Sequence, residues 1–283
     1  MSDAFWIILT GSLVAVTSGL LGCYLVLRKM AMVGDAISHA VLPGIAIAFL
    51  ISGSRSSVPM LIGAALFGML CTFMIELFTK RAKVQEDASI GISFTWLFAI
   101  GVILITYFAD QVDLDQECVL YGEIAFVVFE TWLGIPIAVW TLGGLFILIA
   151  SFISIGYKGL YITTFDPDYA ATLGISVTLW HYLLMGGVSI TTVFTFESVG
   201  AILVVAFLIV PAATAYLLTN KLHVMLLLSG GLGILSSISG YYLAVWWNAS
   251  ISGCMVLMMG LFFVGALIYS TTNKKRLVAT EAM

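Results

Sequence analysis

The chain has 283 residues, of which 61% are hydrophobic and only 9% charged, against roughly 25% charged in a soluble domain, and its mean hydropathy is +1.14. That balance excludes a water-soluble globular fold, because a core of this size could not keep so much apolar surface from water, whereas a lipid solvent removes the problem. The net charge of -4 decides little, since in a membrane protein the positions of the charges matter more than their sum.

A hydrocarbon layer of about 30 Å needs about 20 apolar helical residues. Runs of that kind occur at roughly 5–27, 33–52, 58–79, 88–108, 131–155, 176–195, 198–219, 223–245 and 250–270. Lipid offers no partner for a backbone polar group, so each run is expected to be a helix. The expectation is an all-α, polytopic integral membrane protein of about nine (8–9) transmembrane helices, with residues 1–283 forming one membrane domain. The short break near Glu197 is where the count is softest. The first run is long enough to span and lacks a cleavage site, so it reads as the first helix rather than a removed signal. Pro43 and Pro211 fall inside runs and are expected to kink their helices.

Lys and Arg set the direction. Arg28, Lys29, Lys80, Arg81, Lys83, Lys158, Lys221, Lys274, Lys275 and Arg276 all fall on one side of a nine-span arrangement, and only Arg55 falls on the other. By the positive-inside rule the N-terminus is outside and the C-terminus cytoplasmic. The stretch from Ala109 to Glu123 then lies outside. It holds Asp110, Asp113, Asp115, Glu117 and Glu123 with no base, and reads either as a solvated loop or as an acidic mouth that concentrates cations.

Ionisable groups inside a span are costly and mark function by default. In the second run Asp35 and His39 are four residues apart, on one helix face, with His39 about 15 Å along the helix from Lys29. A carboxylate and an imidazole together suit a divalent transition metal. Two ligands are too few, so others must come from further helices or a second subunit. A buried Asp–His hydrogen bond that fixes packing, and a proton relay, are the competing readings. Glu76 precedes Lys80 by four and reads as a local ion pair. His181 reads as a packing or interfacial residue, His223 as solvated, and Asp87 as the N-cap of the fourth span. Cys23, Cys71 and Cys254 lie in apolar runs without a CxxC partner and read as small buried hydrophobes; Cys118 lies outside those runs. Between spans five and six, Asp166-Pro167 looks like a cap and first-turn proline and Gly174 like a helix stop. A short cytoplasmic helix is expected there, as a simple turn or as a docking element.

No GxxxxGK[ST] loop occurs, so ATP-driven work would need a separate ATPase. No HExxH, GxSxG or Cys/His zinc cluster points to an enzyme.

Three stretches resemble the ABC-3 family, the membrane subunits of bacterial metal-uptake ABC transporters. They are Leu27 to Gly44 (LRKMAMVGDAISHAVLPG), Phe165 to Gly174 (FDPDYAATLG), and Val199 to Ala206 (VGAILVVA) with Ile209 to Ala215 (IVPAATA). The resemblance implies a type II importer-like permease in the bacterial plasma (inner) membrane. It further implies a second permease, identical or paralogous, two cytoplasmic ABC ATPases that bind the ATP, and an extracellular or periplasmic metal-binding protein. No nucleic-acid partner and no permanently bound cofactor are implied. The cargo would be a divalent ion: manganese first, with iron or zinc open. Asp35 and His39 would contact it. Phe165, Asp166, Pro167, Asp168, Tyr169, Leu173 and Gly174 would form the segment that couples to the ATPase. Asp113, Asp115, Cys118 and Glu123 would line an outer gate or vestibule. The residues alone leave a gradient-driven secondary carrier of divalent cations as the alternative.

Overall fold

The computed structural model describes residues 3–52, 57–108, 124–132 and 134–281. Its helices in chain order are α1 (Asp3–Leu27), α2 (Met32–Ala40), α3 (Leu42–Ser52), α4 (Ser57–Lys80), α5 (Glu86–Phe108), α6 (Ile137–Phe165), α7 (Pro167–Thr172), α8 (Val177–Val199), α9 (Ala201–Leu218), α10 (Leu222–Trp247) and α11 (Ile251–Glu281). A short 3-10 turn, Ile124–Val128, and a hairpin of two-residue strands, β1 (Thr131–Trp132) and β2 (Ile135–Pro136), precede α6. Among the described residues nine helical segments are long and apolar enough to cross a membrane, α2 and α3 counting as one.

Three expectations are corrected. The fifth span begins at Ile137, not near 131, because Gly134 turns at φ +76° and Thr131 and Trp132 pair with Pro136 and Ile135 as the hairpin. It also runs on to Phe165. At 1.5 Å per residue its 29 residues reach about 43 Å, well beyond a hydrocarbon layer of about 30 Å. Asp87 does not cap α5: the helix starts at Glu86, and both acids lie in its first turn. The break near Glu197 falls at Gly200, whose φ of +80° lets a single residue join α8 to α9.

The chain separates into two compact units. One draws on Met1–Lys29, Glu123–Ala150 and Ile202–Met283. Here α1 packs along α10 and α10 along α11. Small residues make the approach possible, as is usual between helices in lipid. The Ser229 hydroxyl on α10 donates to the Gly19 carbonyl on α1 at 3.2 Å, and a β-carbon at Gly233 would stand 2.7 Å from that of Ala15. Pro211 sits inside α9, which continues unbroken past it. Beside it the Thr214 hydroxyl donates to the Val210 carbonyl at 2.7 Å.

The other unit draws on Met30–Gly122 and Ser151–Ala201. It holds α2 to α5, the second half of α6, α7 and α8. α3 and α4 meet where Gly44 faces Gly63, so closely that a β-carbon on either would overlap the other's carbonyl oxygen. α4 lies against α8, where the Ser189 hydroxyl donates to the Ala65 carbonyl at 3.1 Å.

Many buried hydroxyls in both units donate back to their own helix. Thr17 bonds the Leu13 carbonyl, Thr72 that of Gly68, Ser93 that of Ser89, Thr195 that of Thr191 and Ser237 that of Gly233. Cys23, Cys71 and Cys254 are buried free thiols, as their apolar context suggests.

Gly63→Val should overpack the α3–α4 contact and cost about 1–3 kcal/mol, read as a lower thermal midpoint in detergent. Gly91→Ala, at a glycine with nothing within 4 Å, should not lower that midpoint.

Candidate metal site and coupling segment

Asp35 and His39 lie on α2, a helix of nine residues. Its brevity follows from Pro43, the second residue of α3. Proline has no N–H for the carbonyl four residues earlier, that of His39, and its ring crowds that turn. The helix therefore gives way just before the proline, at Val41. α5 presses on this break: a β-carbon at Gly101 would stand 2.8 Å from the Pro43 nitrogen. Of the two expected proline effects, the one at Pro43 is thus a helix break, whereas α9 runs through Pro211.

His39 Nε2 stands 3.7 Å from Asp35 Oδ1, and the two side chains are 38% and 36% exposed. That is ion-pair range but too long for a hydrogen bond. The packing alternative required a buried, bonded pair, and the pair is neither. Phe94 and Phe98 of α5 flank the imidazole, with ring centroids at 5.8 and 5.9 Å. The second ring meets it edge to face. His39 also borders a largely apolar cavity with Ile45, Phe98, Val193 and Phe196. Reading along the chain missed Phe94 and Phe98. Their signal is the spacing Phe94, Phe98, Gly101, which puts both rings and the contact with Pro43 on one stripe of α5. Among the described residues no group of three or more His, Cys, Asp or Glu side chains could hold a metal ion. The pair therefore finds no third such ligand among them.

The segment expected to couple to an ATPase is a compact corner. Phe165 ends α6. The Asp166 carboxylate accepts from the Tyr169 N–H at 2.9 Å and Pro167 opens α7, as cap and first-turn proline should. Ala170 is buried, while Phe165, Asp168, Tyr169 and Leu173 are exposed. Gly174 turns at φ +75°, its N–H bonding the Ala171 carbonyl and that of Ile175 the Ala170 carbonyl. Of the expected 165–174, Phe165 closes α6 and Pro167–Thr172 forms α7, while Asp166 caps it and Leu173 and Gly174 stop it.

Glu76 and Lys80 pair within α4, as expected, and Tyr182 of α8 stands beside the same carboxylate. His181 packs edge to face on Tyr182, and His223 is exposed. Asp113, Asp115, Cys118 and Glu123 lie outside the described residues, as do Asp110, Glu117 and Arg55.

The profile of the ABC 3 transport family matches residues 2–270. The chain is 50% identical over 279 residues to the manganese transport system membrane protein MntD of Bacillus subtilis, covering 96% of this chain and 94% of that one. It is 40% identical to the zinc transport system membrane protein TroD of Treponema pallidum, over 96% of this chain and 75% of that one. Among solved structures, PsaBC from Streptococcus pneumoniae in complex with Fab aligns with a TM-score of 0.78 and 34% identity, over 94% of this chain and 91% of that one.

Asp166→Ala should cost α7 about 1 kcal/mol of cap stability. Hydrogen exchange at the Tyr169 amide should speed up about fivefold, and an unchanged rate would contradict the cap.

Proposed function

The chain belongs to the ABC 3 transport family, and on that premise we propose that it is the permease of an ATP-driven importer of divalent transition-metal ions. The metal passes from an external binding protein to the cytoplasm by alternating access, and Asp35 and His39 hold it on the way. Manganese comes first, because a relative at 50% identity is named for it. Zinc follows, named for a relative at 40%, and iron remains open.

The observation that carries the reading is the exposure of an ionisable pair on a membrane helix. A carboxylate facing hydrocarbon costs at least about 2.5–3.5 kcal/mol. Its face therefore needs a cover that is itself polar. A second permease, identical or paralogous, supplies one if its own Asp and His meet this pair. Two carboxylates and two imidazoles then make four oxygen and nitrogen donors, a set that suits borderline divalent ions. The two ligands per chain are what this division predicts.

Several further parts belong to the proposal. By the positive-inside rule the basic residues orient the N-terminus outside and the C-terminus in the cytoplasm, and the membrane in this reading is the bacterial plasma membrane. α7 then faces the cytoplasm, where Tyr169 and Leu173 offer apolar side chains to one of two ABC ATPases that bind the ATP. Asp113, Asp115, Cys118 and Glu123 are assigned in this reading to an outer gate or vestibule. The chain itself is no enzyme and keeps no permanent cofactor. A gradient-driven carrier is the other reading of the same residues, but it leaves α7 without a task.

The test is metal uptake by proteoliposomes holding permease, ATPase and binding protein. Uptake of manganese should require ATP and survive collapse of the ion gradients. Asp35→Asn and His39→Ala should each lower it by at least about tenfold, as removal of a metal ligand or its orienting partner does, while the complex stays assembled. Normal flux in both variants rejects the site, and gradient-driven uptake by the purified chain alone rejects the pump.

A further inference from the structure

The two helices that enter and leave α7 are joined by one side chain. Trp180, in the first turn of α8, lies across Gly156 and Gly159 of α6. A β-carbon at Gly156 would stand 2.6 Å from the indole, and one at Gly159 would overlap it. Phe152 closes the end of this slot, its ring centroid 6.3 Å from that of Trp180. Residues 152, 156 and 159 fall on one stripe of α6, so the indole is seated lengthwise on a face made flat for it. The corner between is stiff in its own right, through the Asp166 cap and the two backbone bonds around Gly174.

α8 in turn lies along α4. Near Trp180, Tyr182 stands beside the Glu76 carboxylate, which pairs with Lys80. Two turns further on, Ser189 bonds the Ala65 carbonyl, and a β-carbon at Gly68 would overlap its hydroxyl. That same β-carbon would stand 3.1 Å from Ile37, two residues from Asp35 and from His39 on α2. Packed contacts therefore run from the corner through α8 and α4 to the helix that bears the metal pair.

We infer that Trp180 is a positioning residue for transport: seated on Gly156 and Gly159, it makes the end of α6, α7 and the start of α8 a single stiff lever. A push on α7 then shifts α8 against α4 instead of flexing the corner. This rests on α7 being the segment that meets the ATPase. Packed interiors pass on displacement because they resist compression.

Two readouts on the full complex of permease, ATPase and binding protein test it. The first uses nitroxide labels on cysteines placed at Ile155 and Leu179, both exposed, with the four native cysteines replaced by alanine. The lever gives one narrow label distance, with and without ATP. Trp180→Ala should broaden that distribution, and Gly159→Ala, which displaces the indole while keeping it, should do so too; Trp180→Phe should restore part of the order. The second readout is manganese carried per ATP hydrolysed. It should fall about tenfold in Trp180→Ala, within the range of measured coupling effects, while ATPase turnover and assembly stay near normal. If Trp180→Ala does not assemble, Gly159→Ala decides by the same two readouts. A narrow distance in the variants overturns the clamp, and a broad distance with a normal metal-to-ATP ratio overturns the lever. Tyr169→Ala with Leu173→Ala separates the premise: if the ATPase still binds and responds, α7 is not its contact, whatever the label distances say.

Discussion

The rest of the structure depends on the refusal of hydrocarbon to solvate a polar group. Every backbone N–H and C=O in the layer must be satisfied by its own segment, which makes the chain a set of long helices and leaves little freedom except at their ends. Helix ends, breaks and the few polar side chains then carry the specific chemistry. The break before Pro43, the glycine joint at Gly200 and the capped corner at Asp166 are among the places where the ladder is interrupted. The proposed metal pair and the proposed coupling segment each sit at one of these interruptions. A site built there costs the ladder nothing that was not already lost.

The proposed metal site follows from the same constraint. A carboxylate and an imidazole that are more than one-third exposed in a single chain describe half of a site. In water such a pair would be an ordinary surface feature. Between lipid tails it calls for a complement, and the proposed complement is another copy of the same half. The aromatic flank of Phe94 and Phe98 restricts the imidazole to one side of α2. It also lowers the local polarity, which strengthens whatever electrostatic contact the pair makes.

Much of this was legible in the sequence, and the misses share a cause. The spans could be read because about 20 apolar residues are what the layer demands. Asp166, Pro167 and Gly174 could be read because capping chemistry is local, and so could the Glu76–Lys80 pair at one helical turn. Hydropathy, however, reports the solvent and says nothing of the backbone. It ended α6 near 155, where polar residues begin, although the helix continues through Lys158 and Thr163 to Phe165. It began the same helix near 131, although Trp132, Ile135 and Pro136 are apolar residues in a hairpin. The proximity of Phe94 and Phe98 to His39, and of Trp180 to Gly156 and Gly159, joins residues far apart in the chain. No local pattern announces such contacts in advance, although the stripe spacings on α5 and α6 are consistent with them.

The back-donating hydroxyls bear on how the protein enters its membrane. Thr17, Thr72, Ser93, Thr195 and Ser237 are satisfied within their own helices, so these spans can rest in the bilayer before they meet any neighbour, the first of the two stages by which helical membrane proteins assemble. The second span cannot wait in that way. It delivers Asp35 and His39 to the hydrocarbon with a helix that breaks at Val41. Its lodging is the costly event of biogenesis, eased once α4 and α5 arrive to pack against it. Order of synthesis thus becomes a hazard for this chain: the segment with the greatest need of company leaves the ribosome before the helices that cover it.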